Sequence, residues 1–219
     1  MFGLVDATVL RAAPFAEPER LVHVYQDSDE GGPGSTSFPA YREMAAMTDV
    51  FAGVAATAAA GATWEAPEAP RAVAIEFVTA SYFPVLGLRT HLGSWFSPEH
   101  DRVGAEPVAV VTHRAWQTLF GADPAVVGRT VRLNGQSVTI LGVGPPDFNG
   151  QAGALITHFW LSISSTPVGG PFQVLNLNRP QDHWYQVQAR LAPNVTLPEA
   201  RAAMDGLAGR LAELNPELD

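Results

Sequence analysis

Cysteine and lysine are both absent from the 219 residues, and each absence removes a class of chemistry. Without cysteine there is no disulfide framework, no thiolate zinc site and no cysteine nucleophile. Without lysine there is no Walker-type phosphate loop, because that loop needs its lysine to reach the terminal phosphates. Positive charge is scarce altogether: 13 basic residues, every one an arginine, stand against 22 acidic ones, for a net charge of -9 and a sequence pI near 5.0. Neutralising phosphates takes a basic stripe, and none is present, so the composition argues against non-specific nucleic-acid binding and against docking on anionic lipid. Long apolar runs are missing too. The longest stretch that is both uncharged and apolar-looking, 50–64, is dominated by Ala, Gly and Thr and falls short of the roughly 20 apolar residues of a spanning helix. Residues 2–10 carry Asp6 in their middle and lack the basic start of a signal peptide.

What is present is enough for a folded core: 47% hydrophobic residues, punctuated by 20 Gly and 18 Pro. Residues 11–19, with Pro14 and Pro18, read as a linker. Alternation of Leu21, Val22 and Val24 with polar neighbours predicts a first strand over 20–26. Ser37 can cap a helix with Pro39 in its first turn and Phe38, Tyr41, Met44 and Met47 along one face. Strands over 51–64 and 71–79 flank the turn-rich segment Glu65 to Pro70, which predicts a hairpin with a mobile tip. The alanine content of 51–64 works against that strand, since Ala favours helix. Residues 80–87 form a helical turn ended by Gly87, and Val108–Val111 is a strand before a helix capped by Thr112 and stopped at Gly121. Asn134-Gly135 accepts positive φ at both turn positions, so Thr130–Leu133 and Ser137–Leu141 form a tight hairpin. A strand at 159–163 lies between loops at 150–158 and 166–182. A last strand at 184–191 precedes a helix opened by a Thr196/Glu199 capping box, with Ala200, Met204, Leu207, Leu211 and Leu214 on one face.

No catalytic constellation stands out. The histidines at 23, 91, 100, 113, 158 and 183 have no spacing that puts two on one helical face toward a metal. His91, His100 and Asp101 come nearest to a cluster, and solvated loop side chains explain them more simply. His113 opens a helix, where capping or packing is the simpler role. No Gly-x-Ser-x-Gly elbow exists. Gly142-Val143-Gly144 runs into Pro145 and Pro146, which have no amides to offer a phosphate. Glu17 and Glu19, like Asp27, Asp29 and Glu30, read as solvated carboxylates. Asn194-Val195-Thr196 fits a glycosylation pattern, but Thr196 is better explained as a cap. Trp95, Phe96 and Trp116 read as core, whereas Trp64, Tyr82 and Phe83 would form an exposed docking patch if the hairpin tip left them uncovered. No catalytic, cofactor-binding or metal-binding residue is assigned.

The order of elements is strand, helix, two strands, a β-rich insertion, then strand and helix. This predicts an α+β protein in which both chain ends share one lobe and the insertion makes a second. Several stretches together resemble the MacB-like periplasmic core domain of permeases in one family of ABC transporters, the type that also includes the FtsX-like permeases. These are residues 10–22 (LRAAPFAEPERLV), 78–88 (VTASYFPVLGL) with Leu92 to Phe96, 108–116 (VAVVTHRAW), Phe120 to Pro124, 127–135 (VGRTVRLNG), and Val138 to Gly144 with Pro145 to Phe148. The opening is most like that of the duplicated orphan permeases of acidobacterial type. Ala12-Ala13 departs from the more usual Pro-Leu after the arginine, and 150–180 matches nothing in the pattern.

The resemblance implies a porter-like α+β lobe from 20–87 and 182–219, an inserted β-rich lobe from 88–181, and a membrane-proximal stub and linker over 1–19. Residues 2–10 would then be the end of a membrane helix. It implies a non-catalytic domain without cofactors, facing the periplasm or the extracellular side from the inner membrane. Its partners would be the membrane helices of the same permease, indirectly a cytoplasmic ATPase, and outside an adaptor, a lipoprotein, a cell-wall enzyme or a peptide. Hinges are expected near 87–89 and 163–182. Two other readings are a free-standing binding protein for a peptide or small molecule, and a hydrolase using His91 or His113.

Overall fold

In the computed structural model, residues 2–6, 15–27, 33–151, 156–168, 177–179 and 182–214 are described. In chain order they form β1 (Phe2–Asp6), β2 (Leu21–Asp27), β3 (Pro33–Gly34), β4 (Thr36–Ser37), α1 (Phe38–Ala45), β5 (Phe51–Trp64), β6 (Arg71–Val78) and α2 (Tyr82–Leu86). There follow β7 (Leu92–Gly93), β8 (Val108–Val111), α3 (His113–Phe120), β9 (Thr130–Leu133), β10 (Gln136–Val143), β11 (Phe159–Ser162), β12 (His183–Leu191) and α4 (Leu197–Leu214). The expected mixture of strands and helices is present. The chain divides into two compact units: 1–56 with 84–86 and 176–219, and 57–83 with 87–175. Residues 57–83 therefore belong with the insertion, not with the lobe made by the chain ends. The reason is strand pairing, since β6 runs parallel to β11, Ile75 to Val78 against Phe159 to Ser162.

The first unit is built on strands ordered β1-β2-β12-β5, with β3 beside β2 and β4 beside β12. Antiparallel register places Leu4 opposite Val24, and Val24 opposite Val187, so one face is a buried stripe of Leu4, Val22, Val24, Val187 and Ala189. Helix α1 and helix α4 pack on this unit's strands, α1 against β12 and α4 against β1. Ser37 caps α1 by accepting the Ala40 N–H, and Phe38, Ala40, Tyr41 and Met44 are buried while Met47 lies beyond the helix end. In α4, Ala200, Met204 and Leu207 are buried as the stripe predicts; the side chain of Leu214 lies outside the described residues. Glu199 closes the start of α4 by accepting from the N–H and hydroxyl of Thr196.

Residues 2–6 are not the end of a helix. They pair with β2 from Phe2 opposite Gln26 to Asp6 opposite Val22, because alternation buries Phe2 and Leu4 as a strand does. Residues 7–14 of the expected stub and linker lie outside the described residues.

In the second unit the strand order is β5-β6-β11-β8-β10-β7, and β9 pairs both with β10 and, through Leu133 opposite Trp64, with β5. The sheet thus closes into a six-stranded ring. Alanine in β5 suits this curvature: Ala58, Ala60 and Ala62 stand opposite Phe77, Ile75 and Val73, so small residues make room for large ones and packing overrides propensity. The Asn134-Gly135 turn forms as read, with φ of 47° and 79°. Strand β11 ends at Ser162, one residue before the expected boundary, and Ile163 opens a 3-10 turn.

Candidate functional site

Two polar constellations stand out, one in each unit. In the first unit, two arginines tie the segment that precedes β2 to the end of β12. Arg190 Nε donates to the Val85 carbonyl at 2.8 Å, Nη2 to the Ala16 carbonyl at 2.6 Å and Nη1 to the Glu17 carbonyl at 3.2 Å. Arg20 donates twice to the Leu191 carbonyl, at 3.1 and 2.7 Å, and pairs with Glu17 at 2.8 Å. The Ala16 N–H adds a bond to the Leu86 carbonyl. Guanidinium groups suit this work because their planar fork can satisfy several carbonyls from one charge. Burial lowers the Arg190 pKa, and Arg20 beside it adds to that effect. Phe15 is buried at the start of the clamped segment. The expected linker is therefore fastened at 15–20, and Glu17, whose carboxylate is exposed as read, joins the clamp through its carbonyl and its pairing with Arg20.

In the second unit, Glu76 of β6 is 1% exposed. Its Oε1 accepts the Gln151 N–H at 3.2 Å, and its Oε2 accepts Trp160 Nε1–H at 2.9 Å and the Thr157 hydroxyl at 3.4 Å. No cation contributes to its charge balance, and burial pushes its pKa up to about 7 despite the three donors. An aromatic cluster surrounds it. Phe148 stacks on Trp160 with centroids 5.5 Å apart, Phe83 meets Trp160 edge-on at 5.2 Å, and Trp95 stacks on Phe83 at 3.7 Å. Tyr82 donates to Gln151 Oε1 at 3.3 Å; burial first, and the charge of Glu76 second, raise its pKa well above the usual value.

The residues singled out in the sequence are dispersed. The His91 ring lies 4.8 Å from His113 and 5.2 Å from Trp116, whereas His100 Nδ1 accepts the Ser97 N–H at 2.9 Å. Asp101 instead accepts the Ala80 N–H with both oxygens, at 3.1 and 2.9 Å, and burial raises its pKa to about 6. His113 has its pKa lowered, by desolvation first and then by His91, with Asp147 opposing. Among the described residues no group of three His, Asp or Glu is placed to hold a metal. The anticipated aromatic patch is absent from the surface: Trp64, Tyr82 and Phe83 are buried, Trp64 against Phe120 and Phe159. Glu65 at the hairpin tip is held by Arg132 at 2.8 Å, and Trp95, Phe96 and Trp116 pack as read.

Glu76 was missed by sequence reasoning. A lone acid alternating with Ile75 and Phe77 reads as facing solvent, and the cover over its face comes from residues far along the chain. Trp160, opposite it in register, carries the one indole that reaches it.

Among the described residues no helix is long and apolar enough to cross a membrane. No curated protein matches the chain. Three solved structures share its fold at low identity. The periplasmic region of MacB from Actinobacillus actinomycetemcomitans has a TM-score of 0.66 at 12% identity, covering 95% of this chain and 88% of that one. The extracellular domain of YknZ, a noncanonic ABC-type transporter from Gram-positive bacteria, has a TM-score of 0.63 at 15% identity, covering 90% and 95%. A domain assigned to a permease of Porphyromonas gingivalis has a TM-score of 0.62 at 15% identity, covering 90% and 86%. The family described as MacB-like periplasmic core domain matches residues 1–207, nearly the whole chain, and this protein belongs to that family.

Proposed function

We propose that this domain, the periplasm-facing part of an ABC transporter permease, is a mechanical element without catalysis of its own. It passes movement of the permease's membrane helices, driven by the ATPase, to an adaptor, lipoprotein or peptide outside. The observation that carries this reading is the arginine clamp. It fastens the segment leading into β2 to the strand leading out toward α4, through Arg190 on Ala16 and Glu17 and through Arg20 on Leu191. A pull on either chain passage is then delivered to the same strand and to residues 84–86, not dissipated in slack backbone. Movement between the two units would be absorbed where the described chain passes from one to the other, at 56–57 and 83–87, the latter meeting the hinge expected at 87–89.

This chain carries no cysteine, so labels placed in it are specific once any cysteine elsewhere in the permease and its ATPase is replaced. In the full permease with its ATPase, spin labels at Glu43→Cys and Val103→Cys, exposed positions in different units, report their distance with ATP trapped and with ADP. A distance distribution that changes with nucleotide, and stops changing in Arg190→Ala at undiminished ATP hydrolysis, supports coupling through the clamp. An identical distribution in both nucleotide states sinks it.

A further inference from the structure

Residues 144–151 reach the carboxyl of Glu76 from a part of the chain some 75 residues away. Two features make this contact a fastening with no room to adapt. A side chain at Gly150 would collide with Thr157 Oγ1 and lie 2.7 Å from Glu76 Oε2, so the segment comes this close only because its residue 150 has no Cβ. Gln151 gives its N–H to Glu76 and takes the Tyr82 hydroxyl on Oε1, yet its own Nε2 is buried without a partner. That donor gains a hydrogen bond as soon as water reaches it. The closed arrangement therefore holds a buried acid without a counter-ion and an unsatisfied amide side by side.

We propose that Glu76 is a proton-operated latch on residues 144–151: as a neutral carboxyl it holds the segment closed, and as a carboxylate it releases it toward water. The sign follows from linkage. A glutamate in water ionises near 4.5 and this one near 7, so the closed state binds the proton more tightly and raising the pH favours opening. When Glu76 is neutral, the Thr157 hydroxyl can turn to accept its O–H while Trp160 still donates. When it is ionised, three neutral donors must balance a full charge in a dry site.

Other titratable groups face this region from each neighbouring element. On β11 side, His158 accepts the Ala74 N–H through Nδ1, and burial lowers its pKa. Tyr82 of α2 stays protonated, and Asp101 serves the Ala80 N–H before α2. Asp147 lies on the segment itself, and Ala59 of β5, opposite Glu76, brings no charge. Among the described residues, two buried titratable groups touch the segment, Glu76 and Tyr82, and Tyr82, its pKa raised well above the usual value, keeps its proton across this pH range.

The experiment measures amide exchange of the full chain from pH 5 to 8.5, corrected for intrinsic rates, in the native protein, Glu76→Gln and Asp101→Asn. Opening at the Gln151 amide should increase with pH by up to about 70-fold in the native chain and in Asp101→Asn. It should be flat in Glu76→Gln, and amides of Phe77 and Leu161 should not follow it. A pH dependence that survives in Glu76→Gln, or that Phe77 and Leu161 share, overturns the latch. Should Glu76→Gln fail to fold, the carboxyl carbon resonance of Glu76 in the native chain decides: a midpoint near 7 upholds the proposal and one near 4.5 ends it.

Discussion

Glu76 and Asp101 both bind their protons more tightly in the folded chain, with pKa values of about 7 and about 6. For a carboxyl whose folded pKa is raised, stability is greatest below the unfolded value and falls as the pH climbs to the folded one. The protein is thus expected to be more stable near pH 5 than near pH 8. Of that difference, Glu76 accounts for about 3 kcal/mol as an upper bound, and Asp101 adds a smaller part because it is partly hydrated. Denaturant titrations at the two pH values check this, with Glu76→Gln removing most of the difference. An equal or larger stability at pH 8 would contradict it. At this scale the sequence was informative where partners are local and silent where they are distant. Ser37 and Thr112 read as caps because the amides they accept lie three residues on. Glu76 did not read as buried because Gln151, Thr157 and Trp160 stand 75, 81 and 84 residues away.

Elements followed from period and punctuation. The hairpin of β9 and β10 was visible because Asn134-Gly135 supplies positive φ, and Gly135→Ala is expected to cost about 1 kcal/mol, measured by thermal or chemical unfolding. Strand β5 was legible in its limits but not in its reason, since alanine suits a strand only once Phe77, Ile75 and Val73 stand opposite. Strand β1 was misread because five residues at the start of a chain carry too little periodicity to outweigh an expectation borrowed from resemblance. The clamp escaped notice for a different cause: an arginine donating to carbonyls has no partner that a sequence can display. Arg190→Ala takes its donor from the part-buried Val85 carbonyl and leaves the exposed Ala16 and Glu17 carbonyls to water, and is expected to cost about 1–2 kcal/mol. It should also speed proteolysis between 11 and 20, while Arg190→Lys recovers part of the loss. A variant as stable and as protease-resistant as the native chain would show that the clamp contributes nothing.

At the scale of the molecule, the mixed class and the family were readable, whereas the boundary between units was not. Sequence order suggested that the insertion begins at 88, yet pairing with β11 draws 57–83 into it, and pairings of that separation are fixed by tertiary packing alone. The same boundary governs how the chain acquires its fold. The second unit uses nothing beyond residue 175, while the first needs β12 and α4, which come after it. A chain emerging from its N-terminus therefore presents every strand of the nested ring before the unit that encloses it in sequence can be completed. Arrested chains ending shortly after 175 should already protect 57–175 from protease and leave 15–50 open to it; the reverse pattern would refute this order. Synthesis direction, in effect, makes the inserted unit the older part of each molecule and the outer unit the last to close.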